Sequence, residues 1–201
     1  MKVLDPNQSY TFSKIFELKV EVDELVKDFG YTFSRKLLNL PQYQGQLNRL
    51  QQLEERITAI LPNVLLSTEI ARREILIAPV ITDLVYYTNA QLRIEYSLKV
   101  SEQLQGSLDY FLHNHHHVIV IEAKKGDLDY GFNQLATQLI ALDQWLDSKE
   151  INLLGAVTTG NIWQFGCLNR ENKHIDQGLE SYRVPEDLEP LIRILVQALT
   201  S

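Results

Sequence analysis

Residues 106–125 read GSLDYFLHNHHHVIVIEAKK. Two apolar runs, 106–112 and 118–125, flank a polar run that holds four of the chain's five histidines. Both runs have strand length and strand composition, so the segment reads as an antiparallel hairpin. With the connection centred between His115 and His116, Asp109 stands opposite Glu122. Paired side chains in such a hairpin lie ~5 Å apart on one face. Lys124 follows Glu122 by two residues and shares its face. Two carboxylates and an ammonium therefore converge at one end of the hairpin. The histidines sit at the other end: six residues at ~3.3 Å each put His115 about 20 Å from Asp109. The two features cannot form one site.

The histidines look like a metal cluster and read better as a solvated turn. His113, His115, His116 and His117 are interrupted only by Asn114. Neighbouring side chains in a strand or turn point different ways, and no Cys, Asp or Glu stands close in sequence to complete a shell. The acids are different, because Asp109, Glu122 and Lys124 interrupt apolar strands. Charge inside a sheet is costly unless it is paired or coordinating. A structural salt bridge of Lys124 with Glu122 or Asp109 is the plain reading. The functional reading is a site for a hard divalent cation. Asp109 and Glu122 supply oxygens, the Ala123 carbonyl can add another, and waters fill the shell. Lys124 then orients the attacking water or steadies developing charge on a phosphate.

Outward from the hairpin, LRIEYSLKV (92–100) alternates apolar and polar residues as a half-buried strand. Before it, STEIARREILIAPVITDLVYY (67–87) reads as a helix capped by Ser67 and kinked or split at Pro79. After the hairpin, 127–147 carries Phe132, Leu135, Leu139 and Leu142 on one helical face, with Asp127 or Asp129 near its start. INLLGAVTT and IWQFGCLN read as strands, the segment around SYRV as a last one, and 188–199 as a closing amphipathic helix. The order from residue 67 is helix, three-strand meander, helix, strand. It predicts an α/β fold with a mixed central sheet, since a meander excludes plain βαβ alternation.

Upstream, Ile15, Leu18, Val22, Leu25 and Phe29 form one helical stripe, and Leu47, Leu50, Leu53, Ile57 and Ile60 another. They predict an antiparallel helical pair over roughly 12–61, and hence an N-terminal helical extension, 1–62, before an α/β core, 63–201.

Composition bounds the function. The chain has 201 residues, 45% hydrophobic and 22% charged, so it can bury a core and is not a disordered chain. No apolar run reaches the ~20 residues of a membrane span, and MKVLDPNQSYTF has no signal-peptide core, so no membrane partner is expected. The one cysteine, Cys167, fits a reducing, cytoplasmic setting. A net charge of −7 argues against an autonomous, tight nucleic-acid binder but leaves room for an enzyme that meets phosphates at one local basic site.

Asp109, then Glu122-Ala-Lys124 across a hairpin, resembles the pattern of the PD-(D/E)XK nuclease superfamily, whose fold is restriction endonuclease-like. The element order from residue 67 is similar to that superfamily's core. TEIARREILIAP resembles the Glu-x-x-x-Arg-x-x-x-Ile-x-Pro pattern of nuclease modules of type I restriction subunits, with Glu69 as a further acid, followed by Arg73, Ile77 and Pro79. In the helix after Glu-x-Lys, many members carry a Gln and a Tyr four residues on; here Gln134 matches, and Gln138 stands where the Tyr would be. The resemblance covers about two-thirds of the chain. It implies an endonuclease that uses Mg²⁺ or Mn²⁺ on Asp109, Glu122 and Glu69, with Lys124 and Gln134 completing the site. It implies nucleic acid, chiefly DNA, as substrate, and a homodimer where a duplex is to be cut. The alternative is a non-catalytic member of the same fold that binds nucleic acid or protein. A histidine-rich metal-handling protein is a third, weaker reading.

Overall fold

Strands 105–113 and 118–123 pair antiparallel, in the expected register. The computed structural model describes residues 2–114, 118–124 and 126–200. In chain order its elements are α1 (Phe12–Glu17), α2 (Val22–Asp28), β1 (Thr32–Lys36), α3 (Leu50–Ile60), α4 (Glu69–Arg72), α5 (Ala78–Thr88), β2 (Gln91–Lys99), β3 (Gln105–His113), β4 (Val118–Ala123), α6 (Leu128–Trp145), β5 (Asn152–Thr158), β6 (Ile162–Asn169), β7 (His174–Arg183) and α7 (Leu188–Thr200). Among the described residues the strands make one seven-stranded mixed sheet in the order β1-β7-β6-β5-β4-β3-β2.

The meander β2-β3-β4 is antiparallel, β4 and β5 are parallel and joined through α6, and β5-β6-β7 is antiparallel again. One face is covered by α1, α2 and α6 around Phe111, Val120, Phe132, Leu135 and Leu139. The other is covered by α3, α5 and α7 around Tyr110, Ile119, Ile121, Leu84 and Leu195. The α/β class with helices on both sides of a mixed sheet is therefore correct. Among the described residues no helix is long and apolar enough to cross a membrane.

The N-terminal third differs from the helical pair expected there. The first stripe is broken at Leu18–Glu21, where Lys19 takes a left-handed φ of 49°, and becomes the two short helices α1 and α2. The burial pattern survives the break: Ile15 and Leu25 are fully buried. Residues after Gly30 then form β1, which pairs in parallel with β7 as the far edge of the sheet. The alternation in YTFSRK was the signal for this strand, but five residues between helical stripes are easily absorbed into a helix reading. The second stripe does form α3, with Leu53 and Ile57 buried against α5 and α7. The first 62 residues are thus tied into the same sheet and core as the rest.

The helix before the meander is capped one residue later than expected. Thr68, not Ser67, accepts a hydrogen bond from Ala71 N–H at 3.1 Å. The helix runs on past Pro79, but its spacing widens into a π turn at Arg73–Ile77, where Ala78 N–H donates to Arg73 C=O, five residues back. Pro79 lies in the first turn of α5, where its missing N–H is tolerated.

One irregularity positions the site. The inside–outside alternation of β2 and β3 changes phase at a single row. On β2, Leu92 packs in the α5/α7 layer while Tyr96 and Leu98 pack in the α6 layer. On β3, Tyr110 and Leu112 pack in the first layer and Leu108 in the second. The residues at the change are Glu95, with φ of 51°, and Asp109, which the register places opposite it. Ile94, on the edge strand β2, is 55% exposed.

Candidate functional site

The pairs Tyr110–Ile121, Phe111–Val120, Leu112–Ile119 and His113–Val118 align β3 with β4. Continued by one residue, this register sets Asp109 opposite Glu122. The backbone ladder stops just there. Ala123 N–H donates to Asp109 Oδ2 at 2.8 Å instead of to a β3 carbonyl. A carboxylate thus replaces the strand's own acceptor, and the two strands part at the end that carries the charges.

Glu122 lies at the centre of the cluster and is 1% exposed. Its Oε1 accepts from Gln134 Nε2 at 2.6 Å and pairs with Lys124 Nζ at 2.7 Å, while Oε2 accepts from Gln138 Nε2 at 2.6 Å. The two glutamines are four residues apart on α6, so both amides project from one helical face onto β4. Helix α6 comes close because Gly131 faces the strands: a Cβ there would sit 2.9 Å from Val157 Cγ2 and 3.1 Å from Lys124 Cγ. Asp127 caps this helix by accepting from the N–H groups of Asp129 and Tyr130. Lys124 is itself anchored by its N–H, which donates to Thr158 C=O on β5 at 2.7 Å. Its ammonium lies 5.0 Å from the centroid of the Phe16 ring on α1.

Burial above all, then the negative charge of Asp109, pushes the Glu122 carboxyl up to about 8; the Lys124 ammonium and the Gln138 amide oppose this without cancelling it. The amides that hold it are not themselves satisfied. Gln134 Oε1 and Gln138 Oε1 are both buried with no hydrogen-bond partner among the described residues. Buried orphan acceptors of this kind are rare and cost about 1–3 kcal/mol each.

On the other side of Asp109 stands Arg73. Its Nη1 lies 3.9 Å from Asp109 Oδ1 and 2.5 Å from Glu95 Oε1, and its Nε donates to the Tyr110 hydroxyl at 3.4 Å.

Of the residues singled out in the sequence, Asp109, Glu122, Lys124 and Gln134 come together. Glu69 makes no ion pair with Lys124 among the described residues. It lies in the first turn of α4, where a carboxylate is favoured by the helix dipole alone. Arg73, one turn on, reaches Asp109. Among the described residues no three of His, Cys, Asp and Glu are grouped as a metal shell. His113 stacks on Phe111 with ring centroids 5.2 Å apart, and His115–His117, like Lys125, fall outside the described residues.

Two contributors were missed in the sequence. Gln138 stood out only as a departure from a motif, yet an amide repeated at i and i+4 on an apolar helix face was a usable sign. Glu95 read as an ordinary outward-facing strand residue, and no pattern in LRIEYSLKV announces its left-handed backbone. No protein-family model, curated protein or solved structure matches the chain.

Proposed function

We propose that the protein is a metal-dependent nuclease of restriction endonuclease-like fold, acting on DNA through Asp109, Glu122 and Lys124. The observation that carries this reading is the break in the β3–β4 ladder. There Asp109 faces the Glu122–Lys124 pair, at 2.7 Å between Nζ and Oε1, inside an otherwise apolar sheet. The donor set suits a hard cation in part. Asp109 Oδ1 accepts no hydrogen bond among the described residues, having only Arg73 at 3.9 Å. Glu122 has both oxygens engaged, but a carboxyl held up to about 8 is one that a cation would bring back to its charged form. Mg²⁺ or Mn²⁺ held by Asp109 and Glu122 would supply Lewis-acid polarisation of a phosphoryl oxygen. Lys124 orients the attacking water and offsets charge gathering on the phosphate. Gln134 and Gln138 hold the Glu122 carboxylate in one plane.

One specific observation favours a second reading, a non-catalytic member of the same fold that binds nucleic acid or protein. Glu122 is 1% exposed and its oxygens are already met by two amides and an ammonium from its own chain. Mn²⁺ titration by calorimetry, together with cleavage assays on linear, supercoiled, branched and single-stranded DNA, separates the two. The nuclease reading expects Mn²⁺ binding lost in Asp109→Asn and cleavage lost in Lys124→Ala. Absence of both binding and cleavage in the wild type leaves only the second.

A further inference from the structure

Three departures from regular backbone meet at one ion pair. The π turn in the helix before the meander begins at Arg73. Glu95 holds a left-handed φ of 51° in mid-strand, a conformation that disfavours any residue with a Cβ. Asp109 sits where the β3–β4 ladder ends. Each irregularity carries a local penalty, and together they do one thing: they bring the Arg73 guanidinium to the open side of Asp109. A regular helix would turn Arg73 elsewhere, and a regular β2 would turn Glu95 to the other face of the sheet. Arg72, the neighbouring residue, shows the alternative direction: its Nη1 donates to Thr159 C=O and Asn161 Oδ1 in the β5–β6 turn.

We infer that Arg73 is the residue that grips the phosphate of the substrate, and that Glu95 is a positioning residue that aims it. The inference rests on the nuclease reading for its substrate class, a phosphodiester in a single strand at the point of attack. The geometry specifies the roles. Nη1 is tied to Glu95 Oε1, and Nε is turned to Tyr110. Nη2 makes no hydrogen bond among the described residues and is not sealed from solvent. Glu95 is itself fixed by the Ser107 hydroxyl, which donates to Oε2 at 3.3 Å. The guanidinium is therefore held through Nη1 and Nε and leaves Nη2 to donate to a phosphate oxygen. Lys124 Nζ is already turned to Glu122 Oε1 at 2.7 Å.

The test is fluorescence anisotropy of a labelled single-stranded oligonucleotide titrated with wild type, Arg73→Ala, Arg73→Lys and Glu95→Gln. Each titration is run in Mn²⁺ and again in EDTA, with Mn²⁺ affinity measured separately by calorimetry. In Mn²⁺, Arg73→Ala is expected to bind about ten-fold more weakly, the loss of one charge-assisted hydrogen bond, and Arg73→Lys to recover only part of it. Glu95→Gln is expected to weaken binding several-fold while its thermal midpoint and Mn²⁺ affinity stay close to the wild type, which a purely structural ion pair would not produce. Equal affinity of wild type, Arg73→Ala and Arg73→Lys overturns the inference, as does a wild type that binds the oligonucleotide in neither condition. If no Mn²⁺ binds yet Arg73→Ala still loses affinity in EDTA, the grip stands and the metal reading falls.

Discussion

Two of the part-buried clusters of opposite charges among the described residues are built on different terms. In one, Arg170 uses all three guanidinium nitrogens. Nε donates to Asp143 Oδ1 at 2.7 Å, Nη1 to Ser148 and Glu150 carbonyls, and Nη2 to Asp143 and Leu146 carbonyls. The second Asp143 oxygen accepts from the Tyr31 hydroxyl at 2.5 Å. Every donor and acceptor has a partner, and the result ties the C-terminal end of α6 to the β6–β7 turn and to the residue before β1. In the other cluster, Asp109, Glu122, Lys124 and Arg73 stand at a broken ladder, with strained backbone at Glu95, orphan acceptors on Gln134 and Gln138, and a carboxyl pushed well above its ordinary value. Satisfied networks rigidify; unsatisfied ones are where an external group can still improve the balance. The comparison marks the first cluster as framework and the second as the candidate site.

The largest test of that contrast is catalytic. Lys124→Ala should lower Mn²⁺-dependent DNA cleavage by about a hundredfold or more in protein shown to be folded by circular dichroism. A stable variant with undiminished cleavage would remove Lys124 from the chemistry. The mirror experiment is Arg170→Ala, which strands the Asp143 carboxylate and four carbonyl hydrogen bonds. Chemical denaturation should show a loss of about 3–5 kcal/mol, with Mn²⁺ affinity of the folded fraction unchanged.

The third test uses pH. The Glu122 carboxyl is raised from 4.5 to about 8 in the folded chain. Between those values the folded state holds a proton that the unfolded state has released. Its contribution to stability is complete below pH 4.5 and is lost as pH rises through 8, by up to about 1.4 kcal/mol per pH unit. Glu122→Gln should flatten that part of the stability profile. An equal slope in wild type and variant would mean that Glu122 is as well compensated as Asp143, and the distinction between the clusters would fail. The smallest effect is expected at Glu69. With no ion pair to Lys124 among the described residues, Glu69→Gln should leave Mn²⁺ affinity unchanged and shift stability by no more than about 0.5 kcal/mol. A large loss of metal affinity there would bring Glu69 into the shell and enlarge the site beyond the hairpin.

How much of this was legible beforehand can be judged residue by residue. The Asp109–Glu122 register followed from the length of the polar connection alone, because hairpin pairing is arithmetic once the centre is known. Lys124 and Gln134 followed from periods of two and of 3.6. The N-terminal stripe was legible as burial but not as a helix, since Ile15 and Leu25 reach the core whether or not the chain breaks at Lys19. Strand β1 went unread because its identity depends on β7, more than a hundred residues away, offering it an edge. Glu95 and the π turn at Arg73 were out of reach for a similar reason: strain persists only where surrounding contacts over-determine it, and those contacts are not local.

The sequence by itself therefore determined the α/β class, the order of elements from residue 67, the hairpin and which charges lie on it. These rest on periodicity and on pairing between neighbouring segments, and both are written locally. Only the tertiary structure decided that Arg73 reaches Asp109 and that Gln138 closes on Glu122. Those outcomes depend on where a helix is set down on a sheet, through the close approach at Gly131, the phase change at Glu95 and Asp109, and the widened turn before Pro79. A shift of one residue in any of them turns a different side chain toward the same carboxylates.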